Sequence, residues 1–275
     1  MKSFRERFLG NPRVVAGLAW MALVLLLALL ADVLAPTDPF AIVGAPFLPP
    51  GADFPLGTDS LGRDVLAGLI HGARTTLLIA VLSTLAAVAF GTLVGAVAGY
   101  YGGIIDDALM RMTEFFQTIP SFLFAIVLIA ILSPSATNLV IAIAVVSWPP
   151  IARIVRGEVL SLKAREFVQA AVIAGQRDSA ILVSQILPNA LSPLIVTGSL
   201  MVATAILVES ALSFLGLGAP NQMSWGFMIG AARSFMREAW WLVTIPGCMI
   251  LLTVLSINLV GEGLNDALNP RLADL

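Results

Sequence analysis

Long charge-poor apolar runs alternate with shorter polar intervals along this chain, and the length of each run sets the first expectation. A helix needs about 20 apolar residues to cross a bilayer. On that measure we expect six spans, at about 14–35, 75–99, 109–132, 138–155, 191–212 and 239–260. The first holds 18 residues without a charge, at 14–31. A secretory signal has a shorter apolar core, about 7–15 residues, so this run reads as a retained helix. The third is expected to kink at Pro120 and the fourth to be broken by Trp148-Pro149-Pro150.

The polar intervals carry their own signals. Six prolines between Pro36 and Pro55 forbid regular structure and predict an extended loop. Next, Leu61, Val65, Leu66, Leu69 and Ile70 share one helical face while Arg63 and Asp64 lie off it. That pattern predicts an amphipathic helix on the membrane surface, inside an outer loop spanning 36–73. Between the fourth and fifth spans lies the longest polar interval of the second half, 165–188. A helical run over 165–174 meets Gly175, which suits the left-handed position past a helix C-terminus. Asp178 is expected to N-cap a second short helix ending at Pro188. Ala170 and Ala171 leave room for close approach by another surface.

Charge then orients the spans. Six crossings put both termini on one side, and the excess of Lys and Arg marks the cytoplasm. With the termini inside, the cytoplasmic segments hold Lys2, Arg5, Arg7, Arg13, Arg111, Arg153, Arg156, Lys163, Arg165, Arg177 and Arg271; the opposite side holds Arg63, Arg74, Arg233 and Arg237. The tail 1–13 and the loop 158–190 are therefore expected in the cytoplasm, around a core of five helices over 74–265. The expected fold is one all-α integral membrane domain covering 1–275.

Composition agrees and narrows the chemistry. Hydrophobic residues make up 59% of the 275 positions and charged residues 12%, against about 25% charged in a soluble domain. A single cysteine, Cys248, excludes a disulfide framework or thiolate metal site. One histidine, His71, and no paired intramembrane aspartates leave no plausible nucleophile and base, so no catalytic or metal residues are assigned. Neither lysine lies in a phosphate-binding loop, so any ATP must be bound by another chain.

Three further sets of residues stand out. Gly91, Gly95 and Gly99 recur every four residues and form a small-residue stripe for close helix packing. Arg111 and Glu114 are spaced to pair on one face, near a helix end where water reaches them. Glu209 lies in an otherwise apolar run; it either lines a solute pathway or makes an interhelical hydrogen bond, the second being the simpler role.

Gln169, Ala170, Ala171, Gly175, Gln185, Leu187 and Pro188 together resemble the cytoplasmic Glu-Ala-Ala loop of ATP-binding-cassette importer permeases. Gln169 replaces the family's Glu and Gln185 its Ile. Gly-Thr-Asp-x-x-Gly-Arg-Asp at 57–64, Glu-Ser-x-x-Ser-Phe-Leu-Gly-Leu-Gly at 209–218 and Ser224-Trp225-Gly226 resemble the C-type subunit of the dipeptide, oligopeptide and nickel branch. The resemblance implies a subunit of the bacterial cytoplasmic (inner) membrane, forming half of a pathway for di- or oligopeptides. It implies a second homologous permease subunit, two cytoplasmic ATPase subunits carrying ATP and Mg, and an extracytoplasmic substrate-binding protein. No cofactor is expected in this chain and no nucleic acid among its partners. Arg165, Glu166, Gln169, Ala170, Ala171, Gly175, Leu187 and Pro188 would then couple it to the ATPase. Import of nickel or a metal chelate by the same architecture remains open. An ion-coupled secondary transporter is the competing class, but such carriers bury several ionisable groups near the midplane and Glu209 lies nearer one end.

Overall fold

The computed structural model describes residues 8–268, and among these the chain is almost wholly helical. Lys2, Arg5, Arg7 and Arg271, used in the charge argument, lie outside the described residues. Helix α1 spans Pro12–Leu29, opened by Pro12 and by Asn11, whose Oδ1 accepts the Arg13 N–H at 3.0 Å. A short α2, Ala31–Leu34, follows. The long helices are α3 (Val65–Tyr101), α6 (Ala136–Lys163), α9 (Leu187–Phe214) and α11 (Trp241–Leu268). Between them lie α4 (Gly103–Thr118), α5 (Ser121–Leu132), α7 (Glu166–Ile173), α8 (Asp178–Ile181) and α10 (Trp225–Ala232). Five helical stretches are long and apolar enough to cross a membrane, and six if α4 and α5 make one broken span.

Several boundaries differ from the sequence expectation. Helix α3 has 37 residues, about 55 Å at 1.5 Å per residue, and so extends well past a hydrocarbon core of about 30 Å. It absorbs only the second half of the expected surface helix, because the chain is not helical before Val65. Gly57 (φ +79°) and Gly62 (φ +78°) adopt left-handed backbone, and isolated bridges pair Ile42 with Arg63 and Thr58 with Asp64. Asp64 is thus the N-cap of α3, its Oδ1 accepting the Leu66 N–H at 2.9 Å. The proline-rich loop is folded around buried Thr58, whose hydroxyl donates to the Ala45 carbonyl at 2.6 Å and accepts the Leu48 N–H at 2.9 Å.

Pro120 does more than kink its span. Ile119 is extended (φ −90°, ψ 129°), as a residue preceding proline tends to be, and α4 and α5 meet at 85°. Conversely, Trp148-Pro149-Pro150 does not break α6, which runs unbroken from Ala136 to Lys163. Its backbone is pressed there against the glycine stripe of α3. A Cβ on Gly91 would stand 2.7 Å from the Ile151 Cβ, one on Gly95 would collide with the Ala152 carbonyl, and one on Gly99 would stand 2.9 Å from the Arg156 carbonyl. Neighbouring helices are what let a membrane helix keep its course after proline removes backbone donors. The stripe therefore packs within this chain.

The central core joins Ala80 on α3, Ile129 on α5, Ile143 on α6 and Ile206 and Leu212 on α9. Helix α1 lies against α11, with Trp20 Nε1 donating to Thr253 Oγ1 at 3.1 Å. Buried Trp225 pins α10 to α3: its Nε1 donates to the Leu69 carbonyl at 2.9 Å and its backbone N–H to Thr76 Oγ1 at 3.1 Å. His71 is spent locally, its Nε2 lying 2.8 Å from the Ala35 carbonyl oxygen. Arg74 bridges to Asp32 at 2.9 Å, and this hydrogen bond holds the exposed Asp32 carboxyl below its ordinary value.

Candidate coupling site

Beyond Lys163 the chain makes one compact helix-turn-helix. Helix α7 ends at Ile173, Ala174 caps it, and Gly175 takes φ +75°. The Gly175 N–H donates to the Val172 carbonyl at 3.0 Å and the Gln176 N–H to the Ala171 carbonyl at 3.1 Å, the paired bonds of a Schellman turn. Nothing crowds the α-carbon of Gly175, so dihedral strain alone requires glycine there.

The two faces of α7 differ sharply. Val168 and Ala171 point inward, into an apolar cluster with Val159 of α6 and with Ile181, Leu182 and Ile186. Phe167, Val172 and Ile173 point outward, Ile173 being 87% exposed. Arg165, Glu166, Gln169, Ala170 and Gly175 are exposed as well. The alanine pair is thereby divided: Ala170 faces solvent, while Ala171 is small because α7 must sit close on its own chain. Val172 and Ile173, absent from the sequence-derived set, complete an exposed apolar edge that only the inward packing of Val168 and Ala171 reveals.

The second half of the loop departs from expectation in two ways. Asp178 is the first residue of α8 and not its cap; Arg177 stands at the cap position with no side-chain bond. Nor does the helix stop at Pro188. The chain is helical from Asp178 to Phe214, passing through one π-type stretch, Leu182–Ile186, before α9. Pro188 sits in the first turn of α9, where wider i→i+5 bonding accommodates a residue without an N–H. Leu187 packs on the same apolar cluster as α7, and Pro188 is exposed.

One contact ties this loop to the spans and two more tie the helices beside it together, and none is visible in local spacing. Tyr100, at the end of α3, donates from Oη to Asp178 Oδ1 at 2.8 Å. Lys163, at the end of α6, donates from Nζ to the Tyr100 carbonyl and sits 5.0 Å from the Tyr100 ring centroid. Two turns further into α6, Arg156 grips Asp106 of α4 through two hydrogen bonds, 2.5 and 2.6 Å. Arg111 is not the partner of Glu114; Arg153 of α6 lies 3.9 Å from it instead, because α4 packs along α6. A charged side chain at the end of a long apolar run was the only sequence signal for these ties.

Glu209 lies at the far end of α9 and is 1% exposed. Its Oε1 accepts Ser213 Oγ and Ser224 Oγ, each at 2.8 Å, and Oε2 accepts Ser210 Oγ at 3.4 Å. Ser224 also N-caps α10, accepting the Phe227 N–H at 3.1 Å. The side chain thus fastens α10 to the end of α9 through Ser224 and Ser213. Among the described residues no group of histidine, cysteine, aspartate and glutamate could hold a metal ion.

A bundle of long apolar helices with an exposed helix-turn-helix at one end describes a multi-pass membrane protein. Residues 91–274 match the family described as binding-protein-dependent transport system inner membrane component. Residues 1–51 match the N-terminal transmembrane domain of oligopeptide transport permease C. The chain belongs to this family of inner membrane permeases. A di/tripeptide transport system permease protein DppC of Pseudomonas aeruginosa is 42% identical over 280 residues, covering 99% of this chain and 92% of the relative. A dipeptide transport system permease protein DppC of Haemophilus influenzae is 40% identical, covering 99% and 95%. Among solved structures, an inward-facing MetNI methionine ABC transporter shares the fold at TM-score 0.60 and 18% identity, over 74% of this chain and 96% of that one.

Proposed function

We propose that this chain is the C-type permease subunit of an ATP-driven importer of di- or oligopeptides. The observation that carries the substrate class is identity of about 40% along nearly the full length of permeases named for dipeptide transport. In this reading both termini and the loop 165–188 face the cytoplasm. The chain forms half of the pathway with a second, homologous permease, receives peptide from an extracytoplasmic binding protein, and contacts one of two ATPase subunits that carry ATP and Mg.

Coupling runs through the exposed side of α7. Phe167, Val172 and Ile173 offer an apolar edge, flanked by Arg165, Glu166 and Gln169, that an ATPase groove would cover. Ala170 leaves that edge low enough for close approach, and Gly175 turns the chain back toward α8. When the ATPase subunits close, α7 moves as a rigid body because i→i−4 hydrogen bonds link its successive turns. Leu187 and Pro188 lie where the loop runs without a break into α9, so displacement of the loop is delivered to that span. Glu209 belongs to the scaffold in this reading, not to the solute path.

The test is ATP hydrolysis by the complex purified through this subunit, reconstituted in lipid with its binding protein. A mixed pool of di- to hexapeptides is expected to stimulate hydrolysis; nickel, alone or chelated, is expected to have no effect. Stimulation by metal alone would keep the coupling site and overturn the substrate. Absence of any co-purifying ATPase would overturn the coupling site itself.

A further inference from the structure

Helix α4 is joined to the rest of the chain in an unusual way. Behind it, Gly102 (φ +67°) and Gly103 (φ +56°) form a two-residue joint with nothing packed on either α-carbon. Ahead of it, Ile119 and Pro120 turn the chain through 85° into α5. One side of α4 is open, with Ile104 87% and Phe115 66% exposed. The other meets α6 through the Asp106–Arg156 pair, the looser Arg153–Glu114 approach at 3.9 Å and, nearer the C-terminal end, the Phe116 ring 5.3 Å from that of Trp148. Both Arg153 and Glu114 are more than half exposed, so solvent screens that approach. Asp106 is 12% exposed and Arg156 35%, and their two short parallel bonds fix orientation as well as distance. Asp106 is also in the first turn of α4, where the helix dipole favours a carboxylate.

Arg156 stands two turns before the end of α6, the helix that leads into α7, and α6 is locked to α3 along Gly91, Gly95 and Gly99. The α3–α6 pair is therefore one stiff body, and α4 hangs from it on a glycine joint. We propose that the Asp106–Arg156 pair is the positioning contact that makes the broken α4–α5 span follow α6, so that movement of the coupling loop reaches this span as well as α9. The inference rests on the coupling role given to α7 above. Both act by holding α4.

Two readouts test it. The complex carrying Asp106→Asn, Arg156→Gln or the exchanged pair Asp106→Arg with Arg156→Asp is reconstituted, and peptide moved per ATP hydrolysed is measured. Spin labels on Ile104→Cys and Leu160→Cys, in a Cys248→Ala background, report the spacing of α4 and α6 by EPR. Either single variant is expected to broaden the interspin distances and to lower peptide per ATP several-fold. The exchanged pair is expected to restore both. Narrow distances in Asp106→Asn would overturn the tether. Broad distances with unchanged peptide per ATP would overturn its part in coupling, as would an exchanged pair that restores nothing. Should peptides fail to stimulate the wild-type ATPase, the substrate reading falls, and the spin-label comparison by itself supports or overturns the tether.

Discussion

Tyr100 Oη and Asp178 Oδ1 are 2.8 Å apart although 78 residues separate them, and this bond joins the end of α3 to the start of α8. Asp178 is exposed, which reduces the worth of a hydrogen bond to a charged group to about 1 kcal/mol, below the usual 1.5–3. Tyr100→Phe is therefore expected to leave the spans intact and loosen the loop. Amide exchange over 166–181 should quicken several-fold while exchange in the interior of α3 stays unchanged; equal rates in both proteins would show that the bond does not hold the loop.

The glycine stripe makes a sharper forecast. A β-branched side chain at Gly95 must displace the Ala152 carbonyl, and overpacking of this kind costs about 1–3 kcal/mol or more. Gly95→Val is expected to lower the melting temperature of the purified complex and its yield. Gly157 offers the control: nothing lies near its α-carbon and it sits within a helix, so Gly157→Ala should stabilise slightly, by about 0.5–1 kcal/mol. Equal melting temperatures for the two variants would contradict the close approach of α3 and α6.

Gly175 is constrained by its backbone and not by neighbours. A residue with a Cβ pays about 1–2 kcal/mol in the left-handed region, and asparagine tolerates it better than valine. Gly175→Val is expected to cut peptide-stimulated ATP hydrolysis several-fold and Gly175→Asn to cut it less. Wild-type stimulation in Gly175→Val would remove this turn from the coupling path.

Glu209 separates scaffold from pathway by two substitutions. Glu209→Gln keeps an acceptor for Ser213 and Ser224 and is expected to transport normally. Glu209→Ala strands those buried hydroxyls, at about 1–3 kcal/mol, and is expected to melt earlier. A Glu209→Gln protein of normal melting temperature that moves no peptide would assign the carboxylate to the solute path instead.

How much of this was legible beforehand depended on the kind of signal. Apolar run length located the long helices, because the cost of leaving backbone polar groups unbonded in lipid forces helix on any long apolar stretch. Local rules misjudged two proline sites in opposite directions. Pro120 opened an 85° break where a kink was expected, while Pro149 and Pro150 left α6 whole. The difference is tertiary: α6 lies pressed on Gly91 and Gly95, whereas α4 has an open face. In the same way, the periodicity at 61–70 predicted a helix from its first residue, but Gly57, Gly62 and the bridge to Ile42 hold the chain extended until Asp64.

Sequence by itself determined the class, the number of apolar runs, the glycine stripe and the position of the loop at 165–188, since each depends on side-chain type and short-range spacing. Only the tertiary structure decided which alanine of the pair faces outward, that Glu209 is taken up by three serines, and that Tyr100, Lys163, Asp106 and Arg156 bind the loop and α4 to the spans. Those choices join residues tens of positions apart. No periodicity records them, because they arise when α3 and α6 come close enough for their ends to meet.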